Sequence, residues 1–233
     1  ARRLHDGRFA EGVDALLETV RLGPLYQPPS LAQAPDGTRG TLRLPSATGG
    51  ANWEGGAYDP TTGLLYVPSR THVDLMRLVH DPEVSAVRWI SGGFGGPDVL
   101  GLPLAKPPWG RITAIDLNDG SLRWAVANGD TPAAVREHPE LEGVDLPRTG
   151  KPTRAGILVT DTLLFAGEGY GGDPVFRAHD KGTGEILAEI PLPATQAGPP
   201  STYRHRGRQF LVFTVADGEH PAELVALALP EHR

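Results

Sequence analysis

Ala57-Tyr58-Asp59-Pro60-Thr61-Thr62-Gly63-Leu64-Leu65-Tyr66-Val67, Ala114-Ile115-Asp116-Leu117-Asn118-Asp119-Gly120-Ser121-Leu122-Arg123-Trp124 and Ala178-His179-Asp180-Lys181-Gly182-Thr183-Gly184-Glu185-Ile186-Leu187-Ala188 carry one pattern three times. Ala, Asp and Gly keep the same offsets in every copy, and Thr precedes Gly in the first and third. Each copy reads as strand, turn, strand. A small Ala fits where sheets crowd, Asp can bond the turn amides, and Gly supplies a positive φ. The large residue that ends the second copy, Trp124, can pack between neighbouring sheets. The copies start 57 and 64 residues apart, a period expected of propeller blades with insertions. Three similar hairpins in an ordinary β-sandwich are the alternative, and the shared register favours the propeller.

The texture on either side agrees. Thr41–Leu44, Leu64–Val67, Ile112–Ile115, Leu122–Val126, Ile157–Thr160, Leu163–Ala166, Phe210–Val215 and Glu223–Leu229 are short apolar or β-branched runs. Asp59-Pro60, Asn118-Asp119-Gly120, Thr183-Gly184 and Asp217-Gly218 are turn signals between them. The 30 glycines and 23 prolines recur between these runs and do not form one tract. A single helix is predicted, from Phe9, Val13, Leu16, Leu17 and Val20 at helical spacing, closed by Gly23-Pro24. The fold class is therefore all-β with one N-terminal helix.

Charge narrows the choice of partner. With 22 Lys and Arg against 28 Asp and Glu, the net charge is −6, and no basic stripe exists for nucleic acid. Arg204-His205-Arg206-Gly207-Arg208 reads as a solvated hairpin turn. Without cysteine, thiolate catalysis, disulfides and covalent c-type haem are excluded for this chain. No run approaches the roughly 18 apolar residues of a membrane helix, so no transmembrane segment is expected. The opening Ala1-Arg2-Arg3 lacks a Met and a signal peptide, which suggests a natural start further upstream.

The segments between the repeats carry a family resemblance. Ser46-Ala47-Thr48-Gly49-Gly50-Ala51-Asn52-Trp53 resembles the glycine-rich Asn-Trp segment of glucose and alcohol dehydrogenases that use pyrroloquinoline quinone (PQQ). Gly23-Pro24-Leu25 with Pro28-Pro29-Ser30-Leu31 resembles its lead-in. Pro107 to Leu117 is similar to the start of a blade in the same enzymes, and Leu192 to Thr202-Tyr203, then Gly207 to Phe210, to their closing blade. The match runs from about Leu22 to Pro230 and is to the C-terminal half of such an enzyme.

That resemblance implies an eight-bladed β-propeller with PQQ and a divalent cation, usually Ca²⁺, near its axis. This chain would form about half of it, a single partial domain over 1–233 with 1–23 as helix and lead-in and 24–233 as blades. A missing N-terminal half or a second chain is expected to complete the ring, because an open half-propeller exposes strand edges. The implied activity is oxidation of a sugar or alcohol, with electrons passed to a quinone or cytochrome acceptor, in the periplasm. A non-catalytic propeller acting as a binding or assembly module is the other reading, since fold alone does not choose.

PQQ is planar, quinonoid and tricarboxylated, so its site needs stacking surfaces and donors. The resemblance places Asn52 at the cofactor pocket. Trp53 is a candidate for the same wall, with packing between blades as its ordinary role. Arg154-Ala155-Gly156 falls where relatives carry a bulky residue and two glycines. Ala155 in place of the first glycine weakens the expected close approach of backbone to cofactor, while Arg154 can pair with a PQQ carboxylate or point to solvent. Thr195-Gln196-Ala197-Gly198 is a weaker candidate near the axis, and Ser201 stands where relatives usually carry Met. The catalytic Asp and the Ca²⁺ ligands are expected upstream, so no catalytic or metal residue is assigned here.

Other motifs carry less. Gly167-Glu168-Gly169-Tyr170-Gly171-Gly172 matches a dinucleotide pattern, but a strand follows where phosphate binding needs a helix, so it reads as a turn. Asp116, Asn118, Asp119 and Gly120 approach a calcium loop with spacing one short and no closing Glu. The eight histidines form no metal pair. Asp161, Glu168, Asp173 and Asp180 are expected at the surface. No nucleophile elbow is present.

Overall fold

A computed structural model of the chain describes residues 7–93 and 95–230. They divide into two compact units. One contains the N-terminal segment to Gly50 together with Thr71–Pro107 and Thr131–Pro147; the other contains Ala51–Arg70, Pro108–Asp130 and Arg148 onward.

In the first unit the expected helix spans Arg8–Glu18 and ends before Gly23-Pro24. The reason is pairing. The Thr19 hydroxyl turns back to the Leu16 carbonyl at 2.9 Å. The next residues then join an extended partner, Arg39 N–H donating to Thr19 O and Arg21 N–H to Gly40 O, both at 2.8 Å. Strand Asp74–Val79, missed in the sequence, organises a small mixed sheet. It pairs parallel with Ser30–Leu31 and antiparallel with Thr41–Arg43 and Ile90–Ser91. Asp74 is buried and fully used: Arg43 reaches it through Nε at 2.9 Å and Nη2 at 2.8 Å, and Ala47 N–H at 2.7 Å. A short helix, Ala133–Arg136, and a 3₁₀ turn, Pro139–Leu141, add helical residues that the periodicity did not reveal.

The second unit holds three antiparallel sheets. The first joins Ala57–Asp59, Leu64–Arg70, Gly110–Asp116 and Leu122–Ala127 in spatial sequence. The second joins Ile157–Val159, Leu163–Gly167, Val175–Asp180 and Ile186–Pro191. The third joins Ser201–His205, Arg208–Val215 and Glu223–Leu227. The consecutive up-and-down order within each sheet is that of propeller blades.

Apolar layers bind these sheets face to face. Leu64, Tyr66, Ile112 and Ala114 of the first meet Ile157, Leu164 and Ala166 of the second. On the other side of the second sheet, Phe165, Phe176 and Ala178 meet Phe213 and Val215 of the third, with Phe176 and Phe213 stacked at 4.3 Å between centroids. Strand Leu163–Gly167 is thus covered on both faces, which explains why it reads as a continuous apolar run without alternation.

All three repeats fold as strand–turn–strand. Asp59, Asp116 and Asp180 accept turn amides through Oδ1 from Thr61, Asn118 and Gly182, at 3.0, 2.9 and 2.8 Å. Gly63, Gly120 and Gly184 take φ of 75°, 75° and 79°. The repeat needs one correction. Its first two copies lie in the same sheet, as the first and last hairpins, and only the third lies in the next. The 57-residue interval therefore arises from a within-sheet spacing lengthened by Thr71–Pro107, a segment of the first unit. Only the interval of 64 is a sheet-to-sheet step.

Arg204–Arg208 is the hairpin turn expected, with Arg206 and Gly207 at φ of 47° and 80°. The Asp116–Gly120 stretch is likewise a hairpin turn, and Gly167–Gly172 a turn between strands.

Candidate functional site

Within the second unit, three loop segments converge on a cleft of about 30 Å³. Trp53 and Glu54 come from the approach to strand Ala57–Asp59, Arg154 and Gly156 from the approach to Ile157–Val159, and Gln196 through Pro199 from the approach to Ser201–His205. Each is the stretch leading into the first strand of its sheet. Equivalent lead-ins of neighbouring sheets fall side by side, so the fold itself assembles the cleft. Tyr170 closes it from the turn after Leu163–Gly167, whose backbone bridges that of Arg154.

The geometry can be built from Arg154. Its Nε lies 3.1 Å from Glu54 Oε1, and its guanidinium sits 5.9 Å from the Trp53 ring centroid. The Glu54 side chain is only 11% exposed, and the alignment leaves Oε1 without a true hydrogen bond. Gln196 is buried, donating through Nε2 to Gly156 O at 3.1 Å and to Gly198 O at 2.8 Å, while its Oε1 has no partner. Close approach here depends on Gly156, where an added Cβ would stand 2.7 Å from Pro199 Cα.

Electrostatics adds a second cation. Burial, and then the neighbouring Arg154, push the Arg70 guanidinium below its ordinary value, and Glu54 offsets part of this. Arg70 is anchored through Nη1 to Pro152 O at 3.4 Å.

Of the candidates, Trp53 and Arg154 line the cleft, as do Gln196, Ala197 and Gly198 of the weaker segment. Asn52 and Ala155 adjoin lining residues without lining it themselves. Asn52 is exposed and accepts the Trp53 amide through Oδ1 at 2.8 Å; Ala155 is buried. The ordinary role considered for Trp53, packing between blades, is not what it does, since it is 63% exposed. Trp124 fills that role instead. Its Nε1 donates to Lys181 O at 3.2 Å, and a Cβ on Gly184 would fall 2.8 Å from its ring. Glu54, Tyr170 and Pro199 were missed. Glu54 directly follows the Asn-Trp pair, and its opposite charge to Arg154 was the available signal.

Glu168, expected at the surface, is fully buried. The Gly169–Gly172 turn folds its carboxylate inward, where Arg177 Nη1 donates to Oε1 at 2.7 Å and Asp173 N–H to Oε2 at 2.8 Å.

PQQ can be tested against these groups. The exposed indole of Trp53 offers a stacking face, Arg154 offers donors to a carboxylate, and Glu54 and Gln196 offer unused acceptors. Those groups fit one polar edge of such a cofactor, since about 30 Å³ is the space of a single small polar group. Among the described residues, no group of three or more His, Cys, Asp or Glu side chains is placed to hold a metal ion.

Comparison with known proteins agrees with the fold. The chain resembles the solved quinohemoprotein alcohol dehydrogenase from Comamonas testosteroni at a TM-score of 0.53 and 23% identity, over 75% of this chain and 23% of that one. The likeness is to a propeller architecture. The chain belongs to the PQQ family, matching its glucose/ethanol/alcohol dehydrogenase β-propeller domain over residues 9–211. It is 28% identical to a probable quinate dehydrogenase (quinone) of Xanthomonas campestris pv. juglandis, over 84% of this chain and 28% of that protein. It is 27% identical to the quinate/shikimate dehydrogenase (quinone) of Acinetobacter baylyi, over 91% of this chain and 28% of that protein. The chain thus spans under a third of the length of these relatives.

Proposed function

We propose that the chain is part of a PQQ-dependent dehydrogenase that oxidises a sugar or alcohol, hydroxy acids such as quinate included, and passes the electrons to an external quinone or cytochrome. The observation that carries this reading is the cleft where Trp53, Arg154 and Gln196 converge at the sheet lead-ins, in a chain of this family. Asn52, Trp53, Arg154 and Ala155 are the proposed cofactor-binding residues. Trp53 supplies a stacking face and Arg154 a charge-assisted contact, Asn52 orients the Trp53 backbone, and Ala155 supports the wall that Gly156 opens. Bound PQQ supplies the two-electron acceptor for a CH–OH group that becomes a carbonyl. The residues here bind and orient. The proton-accepting carboxylate and the Ca²⁺ ligands are proposed to lie outside this chain, supplied by an N-terminal half or second chain within one propeller. The single-domain assignment and the periplasmic location belong to the same proposal.

The test is titration of the chain with PQQ, alone and joined to a complementing N-terminal half of a relative, with dye-linked oxidation of aldoses, polyols and quinate as readout. PQQ binding, with turnover in the joined form, is the expected result. Absence of both in either form would leave the propeller as a binding or assembly module.

A further inference from the structure

We infer that Glu54 is a positioning residue for Arg154, and that the guanidinium it holds over the cleft receives one carboxylate of a bound ligand. The inference rests on the reading of this cleft as a ligand site and goes further in naming what enters it.

Arg154 pairs electrostatically with Glu54 and lies over Trp53, so two neighbours hold it in place. Among the described residues its terminal Nη groups meet no acceptor, which leaves the paired donors that match a carboxylate free to act. Arg154 repels the Arg70 guanidinium, and Glu54 offsets part of this. An arriving anion relieves the repulsion between the guanidiniums. An arriving cation would increase it.

Glu54 Oε1 and Gln196 Oε1 are buried acceptors without hydrogen bonds. Each loses free energy until a donor reaches it. A carboxylate with a hydroxyl or ring N–H on the adjacent atoms satisfies Arg154 and these acceptors together. The cleft of about 30 Å³ has room for one such group. Both a PQQ carboxylate and a hydroxy-acid substrate present this chemistry.

The full chain is titrated calorimetrically with two probe pairs that differ in charge: PQQ against its trimethyl ester, and gluconate against sorbitol. At least one acid is expected to bind about tenfold more tightly than its neutral partner, the worth of one charge-assisted contact. Arg154→Gln should abolish that ratio. Glu54→Gln should reduce it several-fold with the thermal midpoint retained, and Glu54→Asp should restore part of it. Arg154→Lys, which keeps charge without the planar fork, serves if Arg154→Gln does not fold, and should lose most of the preference. A ratio confined to the PQQ pair assigns the subsite to the cofactor; one confined to gluconate assigns it to the substrate. PQQ and its ester binding equally, with no gluconate preference, would overturn the carboxylate subsite and leave the cofactor reading intact. Binding of none of the probes would overturn both. A ratio unmoved by Glu54→Gln would remove Glu54 from the site.

Discussion

Lys181 Nζ lies 2.6 Å from Asp59 Oδ2, joining the turn of the third repeat to the conserved-offset Asp of the first. Above this ion pair, Tyr66 Oη and Trp124 Nε1 both donate to the Lys181 carbonyl, at 3.0 and 3.2 Å. One residue of the second sheet therefore ties down three side chains of the first. The repeat is a fastening between sheets as well as a way of turning a chain.

Asp59 is the first test of that fastening. The Lys181 hydrogen bond, then the Thr62 hydroxyl, hold its carboxyl at about 2, below the ordinary 3.8. A depressed carboxyl stabilises the fold fully above its unfolded value, and the contribution is lost as pH falls through the folded value. Urea denaturation should show stability falling between about pH 4 and pH 2, with a shallower fall in Lys181→Met. At pH 7 that substitution should cost about 1–2 kcal/mol, since the pair is mostly shielded from solvent.

Trp124 tests the packing half of the same contact. Trp124→Ala should cost about 3 kcal/mol in the same denaturation, the lower end for a large aromatic because the ring is only half-buried. Gly184→Ala should also destabilise, by at least 1 kcal/mol, because φ of 79° and the indole both oppose a Cβ. The two substitutions together should cost less than their sum, since removing the ring leaves room for the methyl.

Much of this was legible because a turn is local. Asp at one offset and Gly at another fix hydrogen bonds within six residues, and any chain that repeats them repeats the hairpin. Trp124 was legible for a related reason, as a large side chain at the end of a strand beside a turn. The sheet to which each hairpin belongs was not. The first two copies share a sheet because Thr71–Pro107 is an excursion between paired strands, and pairing over that distance leaves no local mark. Glu168 was misplaced on the same account. A charge in a glycine-rich turn looks solvated until its distant partner, Arg177, is known.

Arg177 and Glu168 form a buried ion pair at 2.7 Å. Burial alone would lower the Arg177 guanidinium, but the hydrogen bonds it donates to Glu189 and Glu168 raise it above its ordinary value. Arg177→Met removes a cation from beside a carboxylate that is fully buried, and should cost about 3–5 kcal/mol. Arg177→Met combined with Glu168→Gln should recover part of that loss, because the fully buried carboxylate that loses its arginine is then no longer charged. A double variant as unstable as the single one would show that the arginine acts through packing.

His179 yields a prediction of the same sign as Asp59 in a higher pH window. Its Nδ1 donates to the Gly184 carbonyl at 3.0 Å, and Nε2 is buried without a partner, so the neutral ring is the form that fits. Burial first, then the Arg177 and Arg148 charges, lower its value below 6.5, with Glu189 and the Gly184 bond opposing. Between the folded value and 6.5 the unfolded chain binds the extra proton, so stability must fall as pH drops below about 6.5. His179→Leu should flatten that slope between pH 7 and pH 5. Its stability at pH 7 should be lower by about 1 kcal/mol for the lost bond to Gly184. The pH window separates the histidine from the carboxylates: the fall below pH 4 should persist in His179→Leu, because it belongs to Asp59 and the other depressed carboxylates.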